Sequence, residues 1–141
     1  MIDENCSILF LSPTYGGKVH DKKIADSSEI VLPSGVVLLQ DLGFTGYSLL
    51  NVEIIQPIKR SKKRSLSLFD KVVNRMISSS RVYVEHVIGS VKRCRVLSEK
   101  CRLRGEEKHD FVMEIGCGLH NLRVVCSPWK KMPDPGNLKV I

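Results

Sequence analysis

The chain has 141 residues, of which 43% are hydrophobic and 26% are charged, and its formal net charge is +7. This length supports one domain with a real core and is too short for two, and the balanced composition excludes a disordered chain. No apolar run approaches the roughly 20 residues of a membrane span, and no amino-terminal signal pattern occurs. We therefore expect a cytoplasmic protein without a membrane partner.

The positive charge is concentrated in one part of the sequence. Residues 59–104 contain 14 Lys and Arg and three carboxylates, a net charge of +11, which leaves −4 for the rest of the chain. Such a segment indicates a surface for phosphates. The alternative is a well-solvated helix face, and charge alone does not decide between them.

The first half of the chain alternates apolar runs with turns. Residues 6–11 form a short apolar run that predicts a buried strand, and Asp21 could cap a short helix over residues 22–28. Residues 36–40 are a continuous aliphatic run, typical of a strand covered on both faces. Asp41 ends that run before a glycine-containing loop, a position where α/β folds often place a ligand-binding group. The alternative is that Asp41 merely caps the turn.

The second half is predicted to be mainly helical. A strand over residues 52–58 and a basic loop over residues 59–64 precede a helix whose N-cap is Ser67. That helix either runs to about residue 97 or breaks near residues 78–80. It carries Glu85, a lone acid among bases, as an ion-pair partner or a metal ligand. Residues 105–110 read as a charged loop, and residues 111–125 as a second helix weakened by Gly116 and Gly118.

The five cysteines are Cys6, Cys94, Cys101, Cys117 and Cys126. Their number is odd and no pair has C-x-x-C spacing, so we expect them to be reduced and partly buried. Cys117 and His120 form one C-x-x-H pair, which would suit zinc, but the other intervals are irregular.

Five motifs occur in order along the chain. They are Gly17-Lys18-Val19-His20-Asp21-Lys22-Lys23; Asp41-Leu42-Gly43-Phe44-Thr45-Gly46-Tyr47; Ile55-Gln56-Pro57-Ile58-Lys59; a helical motif with Asn74, Ile77, Ser78, Arg81, Val82, Val84, Glu85, His86, Ile88, Gly89, Lys92 and Arg93; and Gly118-Leu119-His120-Asn121-Leu122-Arg123. Together they resemble the carboxyl-terminal part of DDE-superfamily transposases and endonucleases of the insertion-sequence and Harbinger-like type. The resemblance covers most of residues 8–125.

The resemblance implies an α/β, RNase H-like fold: a mixed sheet flanked by helices, with three carboxylates gathered at one end. Asp41 would be the second of these and Glu85 the third, both catalytic and both ligands of Mg²⁺ or Mn²⁺. Phosphodiester cleavage by two metal ions requires such hard oxygen ligands.

The resemblance also implies DNA as the partner, either transposon ends or non-specific duplex, and a nucleoid location when DNA is bound. Eight cations would hold its backbone without reading bases. They are Lys59, Arg60, Lys62, Lys63, Arg64, Arg81, Lys92 and Arg93. His20 and Asp21 are candidate accessory groups near the metal or the DNA. We interpret His86, His120 and Asn121 as structural.

One departure from the family pattern concerns the first carboxylate, which is expected upstream of residues 17–23. Only Asp3 and Glu4 precede them, and neither matches a family motif. We therefore expect a truncated catalytic domain over residues 1–127, lacking its leading strand and impaired in catalysis, followed by a loose basic tail over residues 128–141. The alternatives are a non-catalytic DNA-binding remnant, one that pairs with intact transposase subunits and inhibits them, or an unrelated basic nucleic-acid binder.

Overall fold

The computed structural model describes residues 1–60, 65–98 and 106–129, and the backbone of residues 138–140. Its elements are α1 (Asp21–Asp26), β1 (Val37–Leu39), a 3₁₀ turn (Leu42–Phe44), β2 (Glu53–Ile55), α2 (Leu68–Val91), α3 (Arg95–Ser98), α4 (Glu106–Cys126) and β3 (Leu138–Val140). The predicted α/β class is confirmed. None of the helices in the described ranges combines the length and apolar character that a bilayer span requires.

The sheet is centred on β1. Strands β2 and β3 pair with its two edges, both in parallel, and Leu38 lies opposite Ile54 of β2. Leu38 and Leu39 are almost fully buried, as expected for a central parallel strand. Antiparallel pairing in the described ranges is limited to one bridge between Ile2 and Ile8, so the sheet itself is parallel there rather than mixed.

The strand predicted over residues 6–11 is wrong. Cys6 has a φ of 66°, and the Asp3 carboxylate accepts hydrogen bonds from the amides of Asn5 and Ser7, so this segment begins as a tight turn. Both backbone groups of Ile8 then bond to the Asn121 side chain of α4. A buried backbone needs partners but does not require a strand to supply them. Here a helix side chain supplies them.

Helix α2 begins as predicted. The Ser67 hydroxyl accepts from the Asp70 amide and the Asp70 carboxylate accepts from the Ser67 amide, which is a capping box. The helix continues through residues 78–80. There the Ser79 and Ser80 hydroxyls donate to the Met76 carbonyl of the same helix. It ends at Val91 rather than near residue 97, and a separate short helix, α3, follows.

Helix α4 is longer than predicted. It begins at Glu106, so the loop predicted over residues 105–110 is wrong for its described part. Gly116 lies where a Cβ atom would clash with Leu97, which explains why α4 can approach α3 closely. Helix α1 is capped by His20 rather than by Asp21. Residues 128–141 lie largely outside the described ranges, so the loose basic tail stays a prediction, although Leu138–Val140 pair with β1.

The core joins the sheet to α2 and the amino-terminal segment. Ile77 and Val87 of α2 pack with Leu39 of β1, and Ile2 and Cys6 complete the same buried cluster. This packing fixes the inner face of α2 against the carboxyl end of β1. It therefore also fixes which side chains of α2 stand beside the residue that follows the strand.

Candidate functional site

Asp41 lies two residues after the end of β1, at the start of the 3₁₀ turn. It occupies the N-cap position of that turn, yet its side chain makes no capping hydrogen bond. The interpretation that Asp41 merely caps the turn is therefore wrong. Its carboxylate is partly exposed and lies beside helix α2. A polar group in this position, at the carboxyl end of a parallel strand, is well placed to meet a ligand.

A cleft of about 190 Å³ separates the end of β1 from α2. Its α2 wall consists of residues in three successive turns of the helix, each three or four positions from another member of the set, so they share one face. They are Ile77, Arg81, Val84, Glu85 and Ile88. Asp41 lies on the opposite wall. The fold thus brings together two predicted site residues that are 44 positions apart in the sequence.

Arg81 lies between the helix and the strand end. Its Nη2 atom is 3.5 Å from Oδ2 of Asp41, and the two side chains are 55% and 41% exposed. Solvent screens an ion pair this exposed, so we expect it to contribute at most about 1 kcal/mol to folding. The pair places the Arg81 cation at the opening of the cleft. Because the pair is weak, it does not hold the Asp41 carboxylate in one fixed contact.

Gln40 is a residue of the cleft that the sequence analysis missed. It is buried, it lines the cleft, and its Nε2 atom donates to the Tyr47 carbonyl at 3.4 Å. Its Oε1 atom has no hydrogen-bond partner in the part of the chain that the structure describes. The sequence feature that could have identified Gln40 is its position: it is a polar residue at the end of an aliphatic run, immediately before Asp41.

Glu85 also borders a second, neighbouring cavity of about 490 Å³. His86, Arg93 and Trp129 are among the residues that line it. His86 therefore does not face Asp41, in agreement with its interpretation as a residue outside the ligand set. Arg93 is exposed and close enough to share this cavity with Glu85.

The remaining predicted residues do not line the Asp41–Glu85 cleft. Lys92 caps the end of α2 and lines an apolar cavity, while Lys59 and Arg60 are exposed. Asp21 borders a different cavity and lies beside Gly43 of the 3₁₀ turn. His20 caps α1 through Nδ1. Residues 62–64 lie outside the described residues.

The first carboxylate of the expected set is not found among the described residues that line this cleft. Asp3 is engaged in its own turn, as described above. Across the described ranges, no group of three or more His, Cys, Asp or Glu side chains is arranged to hold a metal ion. Asp41 and Glu85 are therefore the two acids that the described residues bring to the cleft.

The imagined zinc site at Cys117 and His120 is contradicted by the contacts of the histidine. The Nε2 atom lies 2.8 Å from the Cys6 carbonyl, and Nδ1 lies 3.0 Å from the Ser90 hydroxyl. Because a carbonyl can only accept, Nε2 must carry a proton, and Nδ1 then accepts from Ser90 when the ring is neutral. Both ring nitrogens are used inside the protein, which supports the structural interpretation of His120.

The cysteine environments predict distinct thiol reactivities. Burial raises the pKa of Cys6 and of Cys117. We expect Cys126, which is exposed, to react with a thiol reagent at neutral pH at least tenfold faster than either buried thiol, because the thiolate is the nucleophile.

Since the folded state favours the protonated thiols of Cys6 and Cys117, their contribution to the free energy of unfolding is complete below about pH 8.5 and is lost as the pH rises further. Mass-resolved alkylation and melting at increasing pH measure both effects, and equal labelling of all three thiols would contradict this account.

A family model described as "DDE superfamily endonuclease" matches residues 1–121. A "probable transposase for insertion sequence element IS702" from Microchaete diplosiphon is 28% identical over 88 residues, which are 62% of this chain and 32% of that protein. The chain thus spans about a third of the length of this relative. No solved structure is significantly similar to the chain.

Proposed function

Because the family match covers most of its length, the chain belongs to the DDE superfamily endonucleases, and we propose that it contributes two metal-binding carboxylates to a DNA-cleaving transposase. Endonucleases of this superfamily generally depend on divalent metal ions and act on DNA. The observation that supports the proposal is the common cleft lined by Asp41 and Glu85. We further propose that the parallel strands and flanking helices belong to an RNase H-like fold.

The donor set of the cleft fits a hard divalent cation. Two carboxylates line it, and so does Gln40, whose buried amide oxygen has no partner among the described residues. Oxygen ligands of these types suit Mg²⁺ and Mn²⁺. When bound, such ions polarise the phosphate and supply an activated hydroxyl nucleophile. Asp41 and Glu85 would hold them, and Gln40 would contribute to the wall of the site.

The basic side chains are proposed to hold the DNA. Arg81 lies in the cleft itself, and Arg93 lines the neighbouring cavity that Glu85 also borders. A phosphate at the cleft would therefore meet cations on both sides of Glu85. Contacts of this kind neutralise the backbone and position it, and they carry no sequence information.

We propose that this chain by itself is catalytically impaired. The family chemistry requires three carboxylates, and the described residues bring two acids to the cleft. With one ligand missing, metal ions bind weakly and their spacing is not fixed. A full site would need a third carboxylate from elsewhere, in the same polypeptide or in another one.

Manganese binding tests the proposed metal site. We expect the purified chain to bind Mn²⁺ weakly, and Asp41→Asn or Glu85→Gln to reduce the affinity at least tenfold, because each removes a ligand charge. Electron paramagnetic resonance of free Mn²⁺ measures the binding directly and does not require catalysis. Glu53→Gln is the matched control, since Glu53 is an exposed carboxylate on β2 outside the cleft. Wild-type affinity in Asp41→Asn would overturn the assignment.

A second candidate function is a non-catalytic DNA-binding protein that pairs with transposase subunits. The Arg81–Asp41 ion pair favours it, because the Arg81 cation neutralises part of the negative charge of Asp41 that would bind a metal ion. The variant Arg81→Ala separates the candidates. If Asp41 is a metal ligand, removing the nearby cation raises Mn²⁺ affinity roughly two- to fivefold, the range expected from a screened pair. If Asp41 is only an ion-pair partner, no Mn²⁺ binding appears in either protein.

A further inference from the structure

Helix α4 is apolar on two opposite faces. Its inner face, with Gly116, Cys117, His120 and Val124, is buried against the rest of the protein. Its outer face presents large apolar side chains that are between 47% and 76% exposed, namely Phe111, Ile115, Leu119, Leu122 and Val125. A surface helix normally has a polar outer face, and a helix that is hydrophobic all round is normally buried. Among the residues that the structure describes, none covers this outer face of α4.

These five residues form one stripe, which we call the α4 stripe. They are spaced three or four positions apart, so they lie along a single side of the helix. The stripe extends over about 21 Å at 1.5 Å per residue. Scattered exposed apolar residues need no explanation, but a continuous row of this length marks an interaction surface.

Gly118 lies at the midpoint of the stripe and has no reason to be glycine within the described structure. A Cβ atom placed on it would meet nothing within 4 Å. Gly116 differs in this respect, because its Cβ atom would clash with Leu97. Glycine weakens a helix interior compared with alanine. The distance between two packed helices depends on the side chains at their contact. A glycine on the exposed side of α4 would therefore allow a second helix to pack closely against it.

The α4 stripe is nearly symmetric about Gly118. Phe111 and Val125 lie seven residues before and after it, Ile115 lies three before it and Leu122 four after it. A two-fold interface requires a patch that is complementary to itself. Two antiparallel α4 helices crossing at Gly118 would satisfy that requirement. Phe111 would pack against Val125 of the partner subunit, and Ile115 against the partner's Leu122.

The available area matches a modest dimer. Each large apolar side chain at these exposures offers on the order of 100 Å², so the pair of stripes would bury about 1,000 Å² in total. This lies at the lower end for a specific interface. From the stripe, its symmetry and the open glycine, we propose that α4 is the two-fold interface through which two copies of this chain associate reversibly. The proposal is independent of the metal site.

Sedimentation equilibrium of the full chain over a range of concentrations tests the proposal. We expect a monomer–dimer equilibrium with a dissociation constant in the micromolar range. Leu119→Glu places two like charges beside the two-fold axis and is expected to weaken association at least tenfold. Gly118→Gln should do the same by steric separation, while the open space beyond Gly118 leaves the monomer fold unaffected.

Two controls keep the result interpretable. Leu68→Glu makes the same change at an exposed leucine on α2, outside the stripe, and Gly89→Gln changes another exposed helical glycine with open space beyond it. Both should dimerise like the wild type, and all four variants should retain its helical circular dichroism and melting profile. A wild-type chain that stays monomeric, one that forms open-ended aggregates, or folded Leu119→Glu and Gly118→Gln variants that dimerise normally would each overturn the proposal.

Discussion

Replacing Asn121 with alanine is expected to destabilise the folded chain by about 2–4 kcal/mol, because two partly buried backbone groups lose their partner at once. The Asn121 Oδ1 atom accepts from the Ile8 amide at 2.8 Å, and its Nδ2 atom donates to the Ile8 carbonyl at 2.9 Å. These two bonds join α4 to a segment 113 residues earlier in the chain. The melting temperature should fall by roughly 8–15 °C, a drop large enough to measure by circular dichroism.

Asn121→Asp distinguishes the effect of losing a hydrogen bond from the effect of changing the shape of the side chain, because aspartate has nearly the same shape as asparagine. It keeps an acceptor for the Ile8 amide but turns a carboxylate oxygen towards the Ile8 carbonyl, so it should also be destabilised. Glu114→Ala, at an exposed position on the same helix, should change stability by no more than about 0.5 kcal/mol. A melting temperature for Asn121→Ala within the error of the wild type would show that these bonds do not hold the amino-terminal segment.

Asn74 of α2 makes the same kind of contact with a different segment of the chain. Its side chain accepts from the Ile58 amide at 2.8 Å and donates to the Ile58 carbonyl at 2.9 Å. In both cases an asparagine on a helix pairs with an extended segment as a neighbouring strand would. Both asparagines lie within the motifs that carry the family resemblance.

The purified chain is expected not to cleave DNA at a useful rate. The described residues bring two carboxylates, Asp41 and Glu85, to the cleft, whereas the proposed chemistry needs three, and we expect the lack of one ligand to lower activity by at least about 100-fold. Incubation of supercoiled plasmid with the chain and Mg²⁺ or Mn²⁺, followed by gel analysis, measures nicking. We expect the wild type to be no more active than a variant with both Asp41→Asn and Glu85→Gln.

Binding must be measured beside cleavage, since a chain that does not bind DNA would also fail to cut it. We expect affinity for duplex DNA that falls steeply with salt, because backbone neutralisation releases counterions. The proposed impairment is refuted by robust metal-dependent nicking that Asp41→Ala or Glu85→Ala abolishes. The same result would support the assignment of both carboxylates as catalytic, so the two proposals fail separately.

The sequence alone determined the family and the local elements that position the site. The order of five short motifs predicted the DDE superfamily, and the family match over residues 1–121 confirms it. The aliphatic run before Asp41 predicted a buried strand, and β1 is one. The Ser67 cap predicted the start of α2. These features depend on periodicity and capping, which neighbouring residues in the chain control.

Only the tertiary structure decided which groups meet. It placed Asp41 and Glu85 in one cleft, paired Arg81 with Asp41, and used both nitrogens of His120 inside the core. In place of the predicted strand over residues 6–11, it has a tight turn followed by a backbone bonded to Asn121 through Ile8. The physical reason is that an apolar run specifies burial but not the partner of its backbone. That partner is set by which distant element packs beside it.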